Sequence, residues 1–71
     1  MTYKITQEQA NKIRKSMKVI NDKFSFRQVE VWAGVWDYIA TNKETNEKSI
    51  FTGSTLTIAR TKALDFAVNS L

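Results

Sequence analysis

The sequence predicts a small α+β domain in which an antiparallel sheet is packed by two helices, in the chain order α-β-β-β-α. Apolar residues recur at helical spacing near both ends of the chain, and β-branched and aromatic residues are dense in the middle. A chain of 71 residues is long enough for one core only. Residues 1–71 are therefore expected to form a single compact domain.

The first helix is predicted to begin after Thr6, which can cap it, while Gln9 three residues later can complete a capping box. Ile5 is placed to pack against the first helical turn as a hydrophobic staple. The apolar stripe that follows steps by three or four residues and comprises Ala10, Ile13, Met17, Ile20 and Phe24. The sequence therefore predicts an amphipathic helix that frays near residue 22.

The middle of the chain allows two interpretations. With a period of two, one strand face carries Val29 and Val31 and the other carries Glu30 and Trp32, with Gly34 as a bend before a second strand. With a period of 3.6, apolar residues between positions 26 and 39 also align, and the alternative is a three-helix all-α fold. The β-branched and aromatic density favours strands over residues 26–41.

A polar segment around residues 43–46 is typical of a hairpin turn between two strands, and Asn46 tolerates the positive φ that such a turn requires. Ser54 or Thr55 can cap the last helix. Its buried stripe is predicted to comprise Leu56, Ala59, Ala63, Phe66 and Ala67. Because three of these residues are Ala, the helix can lie close to its neighbour. Both helices are expected on one face of the sheet.

The residue types that most catalytic and metal sites need are missing. The chain has no Cys and no His, which excludes a disulfide and the usual nucleophile–base pairs and disfavours zinc. The carboxylates show no metal-ligand spacing, and two Gly residues cannot form a phosphate-cradling loop. We therefore predict a binding protein with no catalytic residues, no metal and no cofactor.

The expected location is the cytoplasm. Residues 1–8 contain no apolar run of signal-peptide type, and no stretch approaches the ~18 apolar residues of a membrane span. Eight Lys against three Arg, with many Asn and Thr and no Pro, are typical of an AT-rich coding sequence such as many bacteriophages have. We expect no membrane partner.

Positive charge is concentrated in the first third of the chain. Residues 1–27 carry seven basic and two acidic side chains, whereas residues 28–71 carry four basic and five acidic ones. The side chains predicted to contact nucleic-acid phosphates are Lys12, Arg14, Lys15, Lys18 and Lys23. Such a surface attracts phosphates through counterion release, without particular bases. The main hypothesis is a DNA-binding protein, and the plainer alternative is that the lysines solvate an exposed helix.

A protein partner is the second hypothesis. Val19 lies among the lysines, and Trp32 and Trp36 are either core residues or hot spots for a partner. Such a protein would be a modulator or inhibitor, for example phage-encoded, of a host or defence enzyme. A homodimer is a further expectation, because chains below ~70–80 residues usually need a disulfide, a metal or a second subunit.

A hairpin that ends in Ile50-Phe51-Thr52-Gly53-Ser54-Thr55 and is followed by an Ala-rich helix occupies Tyr38–Asn69. This layout resembles that of integrase arm-binding domains and related small DNA-binding modules. The resemblance implies a sheet that enters the major groove. The strands of those modules usually carry basic residues, whereas the corresponding region here carries Glu30, Asp37, Glu44 and Glu47. We therefore place the expected phosphate contacts on the first helix.

Overall fold

The computed structural model describes residues 5–71 and confirms the predicted fold class. The elements are α1 (Gln7–Lys23), β1 (Phe24–Trp32), β2 (Val35–Asn42), β3 (Lys48–Gly53) and α2 (Leu56–Asn69). The strands form one antiparallel sheet in the order β1-β2-β3. The three-helix alternative is wrong, because the ambiguous middle of the chain pairs as strands. Lys4, which contributes to the N-terminal charge, lies outside the described residues.

The strand register separates the two faces of the sheet. Phe26 is opposite Ala40, and Tyr38 is opposite Phe51, so these four side chains share a face. We call this the covered face, because every buried residue of the three strands lies on it. The opposite face, which we call the open face, comprises Ser25, Arg27, Val29, Trp32, Val35, Asp37, Ile39, Thr41, Lys48, Ile50 and Thr52. Along the described strands, none of these open-face residues is buried.

The hydrophobic core lies between the covered face and the helices. Helix α2 packs on β2 and β3, and α1 packs on α2 and runs into β1 without a loop. The core cluster consists of Ile13, Ile20, Phe24, Ala40, Leu64, Ala67 and Val68. Both helices therefore lie on one side of the sheet, as the sequence predicts. The Cα atoms span 32 × 30 × 14 Å, so the molecule is a flat slab.

The start of α1 is as predicted except for the capping box. The Oγ1 atom of Thr6 accepts a hydrogen bond from the backbone N–H of Gln9 at 3.1 Å. The Gln9 side chain does not complete the capping box by bonding to the backbone N–H of Thr6. Its amide donates instead to the carboxylate of Asp65 in α2 at 2.6 Å. Ile5 packs against the core cluster. Phe24, which the sequence places on the helical stripe, is instead the C-cap of α1 and the first residue of β1.

Helix α2 begins where predicted, with Thr55 as N-cap, and its alanines are completely buried. Its predicted buried stripe is wrong at two residues. Leu56 is half-buried, and Phe66 is 37% exposed at the edge of the core, with its ring centroid 5.2 Å from that of Phe51. Leu64 and Val68, which the prediction omitted, are buried. They are on a second side of the helix because α2 is packed by α1 as well as by the sheet.

Two turns and one bulge shape the sheet. Gly34 (φ 82°) and Asn46 (φ 64°) have left-handed backbone conformations in the two hairpin turns. A β-bulge between Glu30 and Trp32 shifts the register, so that Trp32 is opposite Val35. The prediction that Trp32 shares a face with Glu30 is therefore wrong, and Trp32 belongs to the open face.

Candidate nucleic-acid interface

The five basic residues predicted to contact phosphates all lie on α1, and all five side chains are exposed. We call this set the basic surface: Lys12, Arg14, Lys15, Lys18 and Lys23. Across residues 5–71, none of the five forms an ion pair or a side-chain hydrogen bond with another described residue. Their charges are therefore available to a ligand.

The centre of the basic surface is a row of three lysines. Residues three apart on an α-helix are displaced by about 60° and 4.5 Å, so Lys12, Lys15 and Lys18 span about 9 Å along the axis and about 120° of the circumference. This part of the circumference points away from Ile13 and Ile20, which face the core. The row is therefore the outermost part of α1.

Arg14 and Lys23 lie on the two flanks of this row. Arg14 borders the groove between α1 and α2, where Arg60 also lines the wall. Lys23 is in the last turn of α1, where a positive charge complements the helix dipole. Lys43 also contacts the C-terminal end of α1, because its ammonium donates a hydrogen bond to the backbone carbonyl of Asn21 at 2.8 Å. Lys23 therefore has a structural use besides any contact with a ligand.

Acidic residues flank the row of Lys12, Lys15 and Lys18 at both ends. Glu8 lies one turn before Lys12, and Asp22 lies one turn after Lys18, on the same side of the helix. Glu8 also interacts favourably with the positive end of the helix dipole. The three lysines of the row therefore lie between two carboxylates, each about one helical turn from the nearest lysine.

The residues predicted to contact a protein partner do not share one surface. Val19 is 44% exposed and lies among the basic residues of α1. Trp32 is 74% exposed on the open face, whereas Trp36 is half-buried on the covered face, opposite Gly53. Because α1 and the open face lie on opposite sides of the sheet, one partner footprint does not contain all three residues.

The open face is the feature that sequence reasoning missed. Ile50 is 62% exposed there, and Val29, Val35 and Ile39 are half-buried. In β2 apolar residues occur on both faces, so a period of two does not show which face the helices cover. The short turn after β1 was a sequence feature that could have indicated the exposure of Trp32, because a β-bulge beside a tight hairpin turn can move a side chain to the other face of the sheet.

Two carboxylates of the sheet accept hydrogen bonds within the fold. The hydroxyl of Thr52 donates to the Asp37 carboxylate at 2.6 Å, and the Glu30 carboxylate accepts from the backbone N–H of Gly34 at 3.3 Å. No group of three acidic residues in the described part of the chain is arranged to hold a metal ion. Neither described helix combines the length and apolar character needed to cross a membrane.

No family model, curated protein or solved structure matches this chain. The likeness to integrase arm-binding domains is therefore a likeness of layout.

Proposed function

We propose that this protein binds nucleic-acid phosphates through the basic surface of α1 and performs no catalysis. The observation that supports this most strongly is the row of Lys12, Lys15 and Lys18, exposed and unpaired with other described side chains, on the outermost side of the helix. Lysines that only solvate a helix are usually mixed with acidic residues. Here the carboxylates stand at the two ends of the row.

The spacing of the row suits a phosphate backbone. One strand of a duplex places a phosphate every ~3.4 Å along its axis, so about 9 Å of helix can follow about three phosphates. Lysine is a point charge with a flexible stem and carries no bidentate pattern for a base edge. The proposed binding is therefore electrostatic and largely independent of base sequence.

The test is fluorescence anisotropy with random-sequence single- and double-stranded DNA over a range of salt concentrations. Three phosphate contacts give a slope of log affinity against log salt of about −2.7, and five give about −4.5. Replacing Lys15 and Lys18 together with Gln should reduce the slope by about 1.8. With equal affinities at 1 M salt as the reference, the same relation predicts an affinity loss of about 200-fold at 0.05 M salt.

The matched control removes two positive charges from the other side of the molecule. Arg27 and Lys48 are exposed on the open face, and replacing both with Gln changes the net charge by the same amount. This variant should keep the wild-type slope. Equal losses in the two double variants would show a response to net charge alone and would contradict a defined surface on α1.

The second hypothesis, a protein-binding modulator, stays a prediction. Its strongest support is Trp32, because an exposed Trp next to apolar neighbours is typical of binding surfaces. The separation of Val19 and Trp36 from Trp32 means that such a partner would have to engage the open face alone.

A further inference from the structure

The open face presents apolar side chains on all three strands. Trp32 in β1 and Ile50 in β3 are strongly exposed, and Val29, Val35 and Ile39 lie half-buried on the same face. A single exposed apolar residue is ordinary, but a contiguous group on one sheet face marks an interaction site.

The core on the covered side is small. Ile20 is the largest fully buried side chain in residues 5–71, and Ala59, Ala63 and Ala67 occupy the most buried positions of α2. A single core of this size supplies limited stability, and many small domains add a disulfide, a metal or a second subunit. The chain has neither Cys nor His, so a second subunit is the device its residues can supply. We propose that a second copy of this chain covers the open face and forms a sheet-on-sheet homodimer.

The size of the open face suits this occupant. Strands of six to nine residues at about 3.3 Å per residue and 4.8 Å between strands make a face of roughly 26 by 14 Å. Two such faces remove about 730 Å² in plan, and side-chain relief raises the accessible area toward the ~1,000–1,200 Å² at the low end of biological interfaces, so the dimer is expected to be weak and reversible. Two sheets pack in this way about 10 Å apart in β-sandwiches.

The open face carries charges of both signs, two positive and one negative. Arg27 in β1 and Lys48 in β3 are positive, and Asp37 in β2 is negative. A twofold pair brings the same patch together from both subunits, so a face of one sign would repel its copy. This face offers both signs around an apolar centre, which allows opposite charges to meet across the dimer.

Sedimentation velocity on the full chain, from about 1 µM to 1 mM, tests the proposal. We expect the sedimenting mass to rise with concentration from 8.2 kDa to twice that value. Ile50→Lys should weaken the association at least 100-fold. The matched control is Val19→Lys, which adds the same side chain at an exposed aliphatic position of α1 and should associate like the wild type.

Fluorescence reports the position of the interface independently. In a Trp36→Phe variant, Trp32 is the only tryptophan, and its emission should shift to the blue and resist acrylamide quenching as the dimer forms. Circular dichroism checks that each variant is folded, and Ile50→Thr replaces Ile50→Lys if the latter unfolds. A monomer at every concentration overturns the proposal. So does a dimer in which neither Ile50 substitution weakens association, or one that leaves Trp32 equally quenchable, because the interface would then lie elsewhere.

Discussion

Replacing Gly53 with Ala should destabilise the protein more than any other single-methyl change at the end of the sheet. Gly53 ends β3 on the covered face, directly below the first turn of α2. A Cβ atom placed there would lie 2.5 Å from the backbone N of Ala59 and 2.9 Å from Cγ2 of Ile58. The closest atom belongs to the helix backbone, so no rotamer change relieves the contact.

The magnitude follows from the cost of overpacking. Forcing a methyl group into a filled site costs about 1–3 kcal/mol, and a clash with backbone belongs to the upper part of that range. The gain from a less flexible unfolded chain offsets about 0.4–1 kcal/mol. We therefore expect a net loss of about 2 kcal/mol from a total of roughly 4–11 kcal/mol for a chain of this length.

Thermal unfolding followed by circular dichroism measures this loss. For a domain of this size, 2 kcal/mol lowers Tm by about 8–16 °C. Ser54→Ala is the control, because Ser54 is the exposed neighbour and its substitution should change stability by less than about 0.5 kcal/mol. A Gly53→Ala protein that melts within about 2 °C of the wild type would refute the close approach of α2 to β3.

Two further substitutions test local features of the fold. Thr55→Ala removes the side-chain oxygen that accepts from the backbone N–H of Ile58 at 3.2 Å, and it should cost about 1 kcal/mol in urea denaturation. Asn46→Ala should cost about 1–2 kcal/mol because Asn46 has φ 64°, whereas Asn46→Gly at the same position should be neutral or better. Equal stabilities of the two Asn46 variants would contradict the left-handed conformation.

Local patterns in the sequence were sufficient to predict the elements. The cap at Thr6, the stripe through Ile13 and Ile20, and the polar turn before β3 each depend on residues within one turn or one hairpin. Interactions of this range are encoded by neighbouring residues, so a single sequence reveals them. The exposure of the basic surface was predictable for the same reason, since it is the complement of the apolar stripe.

The errors come from interactions between distant parts of the chain. Gln9 bonds to Asp65, 56 positions later, and no local rule weighs that partner against a capping box. Leu64 is buried because α2 packs against α1 as well as against the sheet. A single apolar stripe predicts burial on one side of the helix only. Trp32 changed faces through a single bulged residue, because a shift of one position reverses every subsequent side chain.

Because both helices lie on one side of the sheet, the fold also determines how many ligands the proposed dimer can bind. If two open faces pack together, the helices become the outer layers, and the two copies of α1 point in opposite directions. One short duplex then reaches a single α1, and the second remains free for another segment. The dimer would therefore be bivalent and would cross-link DNA. In a titration, the intensity of scattered light should be highest where the number of basic surfaces equals the number of binding sites on the DNA. The Ile50→Lys monomer would bind the same phosphates and bridge nothing.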